Sequence, residues 1–405
     1  MASPVRPPAA AEVPVEALAM TELGKEPGCP HLAVILPYLK PRGTEKQAIN
    51  LAIGLQRRGW RVTVVVVQGW GEASLYDQLQ AAGVQVLNLL PPWRRAAKGA
   101  SLRRLPSLLG SLRRLNCDLV LSRALLSHRV AGAAAWLLNR PFVAVYSAGI
   151  PDVPLLGPSR LARIRCLLWR CRLGWPRRLI TVSAQSFEHL QRRDPSAPGW
   201  ATAICNGVDT VWFKPVPRSP GPCLEIVTVT TLEWDRKGLD VLLRAFQQVR
   251  ASTSAELKLR IVGSGPDAAA IAAWVEAQRL NDNIELVGDQ PDPRPWLHRA
   301  DLFVLASRRE GLPNALLEAM ASGLCVLAAN CPTGPAELIE SGVNGWLVPV
   351  NDAKALAMAM SRLLADSALR NRLAQAAVAA ARSRHSLDAM IDAYDHQLRQ
   401  LLPQA

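Results

Sequence analysis

D-L-F-V-L-A-S-R-R-E-G-L-P-N-A-L-L-E-A-M, residues Asp301 to Met320, is the stretch from which the fold can be read. Asp301 to Ser307 is an apolar run of strand length, and Arg308 to Leu312 is a polar break. Pro313 suits the first position of a helix, where its missing N–H costs nothing. Glu310 therefore stands at the carboxyl end of a strand, beside a helix N-terminus. Glu318 projects from that helix a little over one turn in. In open α/β sheets ligands bind at that edge, and helix N-termini attract anions through free N–H groups and the macrodipole. The two carboxylates can then take neutral hydroxyls of the same ligand. A sugar joined to a diphosphate has that distribution of charge and hydroxyl. For an arbitrary sequence the commoner reading is a solvated, dipole-stabilised first turn.

Outward from this stretch, strand-like and helix-like runs alternate from His31 to about Val350, the pattern of a parallel α/β architecture. The apolar runs of the first half are Leu32–Leu36, Val62–Val67, Val84–Leu89, Leu119–Ser122, Phe142–Tyr146 and Leu179–Val182. Those of the second are Glu225–Val229, Lys258–Val262, Ile284–Val287, Leu302–Leu305, Cys325–Ala328 and Trp346–Val348. Six and six imply two similar Rossmann-like halves, and 405 residues suffice for two cores. Val211 to Pro222, with four prolines and a glycine, is the linker candidate. The expected organisation is a disordered tail over 1–29, a first domain over 30–214, a second over 215–383 and a C-terminal helix over 384–405. Leu356 to Arg382 and Ser386 to Leu402 read as helices.

The apolar content of 49% and charged content of 20% are those of a globular protein, and no apolar run reaches the roughly 18–20 residues that span a bilayer. Met1 to Pro30 lacks the basic start and apolar core of a signal peptide. Eight scattered cysteines form no CxxC and no zinc spacing, which fits reduced core residues of a cytosolic protein. The net charge of +14 is unevenly placed: up to Lys214 there are 28 Lys+Arg against 12 Asp+Glu. Between Pro91 and Arg178 there are 17 basic residues and two acids, Asp118 and Asp152. Such a field points to an anionic partner of the first half. Within it, Ser159 to Trp175 reads as an amphipathic helix with Leu161, Ile164, Leu167, Leu168 and Cys171 on one face and arginines flanking it, a pattern that suits a lipid surface. A core-facing helix with a basic edge is equally compatible.

The motif words narrow the function. E-G-L-P-N-A-L-L-E-A-M-A-S-G (Glu310–Gly323) resembles the E-x7-E signature of retaining glycosyltransferases with the GT-B fold, family 4 in particular. The turn around Gly43 looks like that family's G-G-x-E loop, with Arg42 in place of the first glycine. Asn206-Gly-Val-Asp209 followed by Phe213 matches N-G-V-D-x-x-x-F at the end of a first domain; alone it is an Asn-Gly turn. Thr231 to Gly238 resembles the G-R-L…K-G word, with Thr231 where the family usually has arginine and Arg236 as a substitute donor. Arg260 to Pro266 is a weak Gly-rich turn, read as structural. C-P-T-G-P-A-E (Cys331–Glu337) is a variant associated with bacterial polysaccharide enzymes that use UDP-sugars. Relatives carry a histidine after the fifth strand; here Val145 to Gly149 has none. His128, on a predicted helix, reads as a surface residue.

The resemblance implies two Rossmann-like domains with parallel sheets facing across a cleft, the C-terminal helix crossing back to the first domain. It implies transfer of a hexose or N-acetylhexosamine from a nucleotide sugar to a polysaccharide or lipid-linked acceptor, with retention. Glu310 and Lys237 are the catalytic candidates. Gly43, Thr44, Arg236, Lys237, Asp289, Gln290, Glu310, Gly311, Leu312, Asn314 and Glu318 are the donor-binding candidates. Glu310 would hold sugar hydroxyls, Glu318 the ribose, and Lys237 the diphosphate. No D-x-D word is present, and neither metal nor other cofactor is expected. The expected partners are a nucleotide sugar, a glycan or lipid-linked acceptor and an anionic membrane, with no nucleic acid, and the expected location is cytoplasmic at the inner face of the plasma membrane. A GT-B protein that binds nucleotide sugar without turnover is the alternative, motivated by Thr231 and the missing histidine.

Overall fold

The computed structural model describes residues 29–402 apart from 41–42, 70, 91–101, 148–167, 172, 218–220 and 222. The tail up to residue 28, Arg42 and residues 159–167 and 172 of the basic stretch Ser159–Trp175 lie outside the described residues.

Strands buried on both faces read as apolar runs, and the runs above become two parallel sheets. The first has seven strands: β1 (His31–Leu36), β2 (Arg61–Val66), β3 (Gln85–Asn88), β4 (Leu119–Ser122), β5 (Phe142–Tyr146), β6 (Arg178–Thr181) and β7 (Ala201–Ala203), ordered β3-β2-β1-β4-β5-β6-β7. The strand beyond the six expected is β7, three residues at a sheet edge, too short to carry a pattern. The second sheet holds β8 (Cys223–Val229), β9 (Glu256–Val262), β10 (Ile284–Gly288), β11 (Leu302–Leu305), β12 (Cys325–Ala329) and β13 (Trp346–Val348), ordered β10-β9-β8-β11-β12-β13. The order reverses between β1 and β4 and again between β8 and β11. Ligands of open α/β sheets bind outside the carboxyl ends at such switch points. Gly43, Arg123, Lys237 and Glu310 follow those four strands.

Two C-terminal helices join the halves. Ser367–Arg384 packs on β12 and on the helix Asn314–Ala321. Leu387–Arg399 then lies along Gly43–Arg57 of the first domain. Its buried residues Met390, Ile391, Tyr394 and Leu398 recur at helical spacing. Ile391 fills the space beside Gly54, where a Cβ would come within 2.1 Å of its Cδ1. Arg58 pairs with Asp392 at 2.6 Å and Asp388 at 3.2 Å, contacts whose exposed acids make them minor. Inside, the Tyr394 hydroxyl accepts from Arg123 Nη1 at 3.4 Å.

His128 is not a surface residue. It is buried, with Nδ1 2.9 Å from Ser122 Oγ, and burial holds its imidazole down at about 4. The helix that carries it turns this face inward against β4. Of the described cysteines, Cys117, Cys325 and Cys331 are buried and Cys171 is exposed.

Candidate active site

Lys237 ends the turn after β8, and Glu310 stands in the break after β11. Their side chains meet: Lys237 Nζ is 2.7 Å from Glu310 Oε1, and both are nearly buried. The two loops are stapled from behind. Arg308 donates to both carboxylate oxygens of Asp240 at 2.8 Å, and its backbone N–H donates to the Arg236 carbonyl. The Thr333 hydroxyl donates to the Glu310 carbonyl, bringing in the loop after β12. Gly238 allows the approach. Its φ is +59°, and a Cβ there would lie 2.1 Å from the Ala306 carbonyl oxygen. Gly238→Ala is therefore expected to destabilise the fold by about 2–4 kcal/mol, from left-handed strain plus a backbone overlap that cannot relax. Denaturant unfolding measures this. An unchanged midpoint would mean that the two loops are not in contact.

The helix Asn314–Ala321 begins directly after Pro313, whose carbonyl accepts from the Leu316 and Leu317 N–H groups, and no side chain caps it. Glu318 opens from this helix into a cavity of ≈ 380 Å³ between the domains. The wall is shared by Asn314, Glu318, Pro291 and Pro293 of the second domain and Lys46, Asp209 and Trp212 of the first. Glu318 is half-buried and lines the cavity. Removal from bulk water lifts its pKa to about 7; Lys46 opposes the lift and Asp292 adds to it. The Glu310–Lys237 pair is not part of this wall.

The first domain closes over the second through specific hydrogen bonds. Asn206 Nδ2 donates to Asn314 Oδ1 at 2.9 Å, and the buried Arg123 guanidinium donates to Asn206 Oδ1. Lys46 Nζ reaches the Pro291 carbonyl at 3.4 Å. Glu337 accepts from the N–H groups of Ala184 and Gln185 at 2.7 and 2.9 Å, and Gln185 Oε1 accepts from Gly334 N–H at 2.9 Å.

The structure thus brings Lys237, Glu310, Gly311, Leu312, Asn314 and Glu318 to one edge, with Gly43 facing Asn314 so closely that a Cβ would fall 2.6 Å from Asn314 Nδ2. Gly43 opens the helix rather than preceding it, and Thr44 follows, half-buried. Arg236 is held by Glu233 at 2.6 and 2.9 Å, which raises its pKa, so it is already engaged. Asp289 is exposed, and Gln290 donates to the Val287 carbonyl of its own loop; the cavity uses Pro291 and Pro293 of that loop instead. Lys46, Arg123, Asn206 and Glu337 escaped the sequence reading as site residues. A polar residue directly after an apolar strand was the available signal for Arg123. Among the described residues no group of three His, Cys, Asp or Glu could hold a metal, and no helix is long and apolar enough to cross a membrane.

Known proteins resemble the chain along nearly all of these elements. Residues 41–212 match the family model Glycosyltransferase Family 4, and residues 224–366 match Glycosyl transferases group 1. The putative colanic acid biosynthesis glycosyltransferase WcaL of Salmonella typhimurium is 36% identical over 46% of this chain and 46% of its own length. The chain thus spans about half of that relative. The lipopolysaccharide core biosynthesis glycosyltransferase LpsE of Rhizobium meliloti is 25% identical over 88% of this chain and 95% of its own. Among solved structures, Anabaena Alr3699/HepE in complex with UDP and glucose superposes with a TM-score of 0.72, covering 91% of this chain and 99% of that one at 19% identity. At that identity the likeness speaks for the fold. Two switch-point loops bearing a lysine and a glutamate, and two family models laid end to end, place this chain among the group 1 glycosyltransferases with the GT-B fold.

Proposed function

We propose that the protein transfers a hexose or N-acetylhexosamine from a nucleoside-diphosphate sugar, a UDP-sugar in the first instance, to a hydroxyl of a lipid-linked or polysaccharide acceptor, with retention of the anomeric configuration. The observation that carries this is the Lys237–Glu310 contact beside the uncapped helix that bears Glu318. A diphosphate entering there meets the N-terminus of the helix and competes for the Lys237 ammonium. Glu310, relieved of its partner, accepts hydroxyls of the sugar. Glu318, in the interdomain cavity, accepts the ribose hydroxyls. Lys237 neutralises charge on the departing diphosphate, and that oxygen takes the acceptor proton, so no protein base is required. Closure of the first domain through Asn206, Gln185 and Lys46 keeps water from the reacting carbon. Activity of this kind at the inner face of the plasma membrane fits the basic first domain and relatives named for colanic acid and lipopolysaccharide core biosynthesis.

A thermal-shift screen of UDP-, GDP- and ADP-sugars tests binding, because a ligand of the folded state raises Tm. Transfer to extracted lipid-linked acceptor, with the product anomer read by NMR and Glu310→Gln as control, tests turnover. A Tm shift without transfer would leave a silent nucleotide-sugar binder. No shift with any donor would overturn the proposal.

A further inference from the structure

The helix Leu125–Leu137 has an unusual outer face. Its inner positions, among them His128, Val130, Ala131, Ala134 and Ala135, pack on the first sheet. Facing out are Leu125 at 45% exposure, Leu126 at 55%, Arg129, Trp136 at 78% and Leu137 at 48%. A surface helix ordinarily turns polar residues outward; this one turns out leucine, tryptophan and arginine.

A neighbouring segment extends the face. The turn at Gly174 seats against the same helix so closely that a Cβ on Gly132 would lie 2.0 Å from the Gly174 carbonyl oxygen. Leu168, at 59% exposure, lies in the helical segment before that turn and Trp175, at 50%, directly after Gly174; the Arg170 guanidinium between them sits 5.4 Å from the Trp175 ring centroid and 4.5 Å from that of the buried Trp200. Six of the ten exposed large apolar side chains among the described residues belong to these two segments. Monomers seldom expose apolar residues in such concentration without an interaction to make. Arg113 and Arg114 stand exposed on the helix Leu105–Leu115, which packs beside Leu125–Leu137, and Arg177 is exposed just beyond Trp175.

We infer that this face docks on an anionic lipid surface. Leucine and tryptophan enter the headgroup boundary, and the interleaved arginines reach lipid phosphates. Charge selects the occupant. Two copies meeting through this face would oppose their arginines, with Asp118 and Asp152 the only acids in the surrounding stretch 91–178. A nucleic acid would satisfy the arginines but leave the leucines on water. An anionic bilayer satisfies both.

The position relative to the cleft gives the surface its use. Leu125 comes two residues after Arg123, whose guanidinium touches Asn206 and through it Asn314. Leu125 and Trp136 are separated by about 16 Å of helix axis. The docking face therefore starts two residues from a side chain tied to the interdomain contact, which would bring an acceptor anchored in the same bilayer toward the two domains. This use rests on the transferase reading; the surface does not.

Co-sedimentation with vesicles tests it. The full chain is expected to bind vesicles of phosphatidylglycerol and phosphatidylcholine mixed equally, to release them with added salt, and to ignore phosphatidylcholine alone. The double variant Leu126→Glu with Trp136→Glu should lose about tenfold or more in partition, with its thermal unfolding unchanged. Met358→Glu, at an exposed apolar site of the second domain, should bind like the parent. The inference is overturned if the double variant binds vesicles like the parent. It is also overturned if the parent is a dimer that the variant merely dissociates, or if DNA is retained and vesicles are not. Sedimentation needs no turnover, so this reading and the transferase reading fail separately.

Discussion

Lys237→Ala is expected to lower kcat for sugar transfer by about 10²–10³-fold, the usual cost of deleting one charge-stabilising group from a transition state. The lysine contacts Glu310 at 2.7 Å, and both side chains are nearly out of solvent. Removing it alone strands a buried carboxylate, which destabilises by about 3–5 kcal/mol. A lower rate could therefore come from damaged structure. The double variant Lys237→Ala with Glu310→Gln separates the causes. With no charge left to strand, its unfolding midpoint should return toward that of the parent. Its kcat should not, because the departing diphosphate still lacks its cation. The effect should fall on kcat more than on KM, since the charge that Lys237 meets grows as the glycosidic bond breaks. Recovery of activity together with stability would reduce the pair to a structural staple.

The parallel sheets were legible because their strands are apolar on both faces, and runs such as Val62–Val67 and Leu302–Leu305 leave little other choice. β7 was not, being three residues long at an edge. Within the site the same division holds. Glu310, Asn314 and Glu318 were legible since a single strand–break–helix unit fixes all three. Lys237 was legible as the residue at a turn-to-helix junction. What the first domain contributes could not be read locally. Asn206 reaches Asn314 across 108 residues, a pair made only where one domain meets the other, and Arg123 reaches Tyr394 across 271, a pair made only by the C-terminal helix crossing back to the first domain. Asn206 looked like one half of an ordinary turn, which it also is. The loop after β10 reaches the interdomain cavity through Pro291 and Pro293, where Asp289 and Gln290 were the residues expected. Polar residues draw attention in a sequence, while a base can be held by flat apolar walls and backbone.

Donor affinity should fall with acidity, by up to about tenfold per pH unit below the Glu318 pKa, and Glu318→Gln should flatten the profile. The carboxyl is lifted from 4.5 to about 7, chiefly by its removal from water, with Lys46 opposing and Asp292 reinforcing. The consequence for the ligand-free protein follows from linkage. Well below pH 4.5 the group is protonated in both states and contributes nothing. As pH rises from 4.5 toward 7 the unfolded chain releases the proton and the folded one keeps it, so stability declines across this window and levels off above it. Glu318→Gln removes that decline and should be the more stable protein above neutrality, on the order of 2 kcal/mol, and no more stable in acid. Function pulls the other way. A ribose presents hydroxyl donors, and an ionised carboxylate accepts them where a protonated one would direct its own O–H into the same space. Binding must therefore drive the proton off. Calorimetric titration of an intact nucleotide sugar, whose diphosphate diester does not titrate in this range, should show proton release approaching one per site at a pH just below that of Glu318. It should show none with Glu318→Gln. Equal proton release by the two proteins would place the ribose elsewhere, and a parent stability that does not fall between pH 4.5 and 7 would mean that the carboxyl is solvated after all.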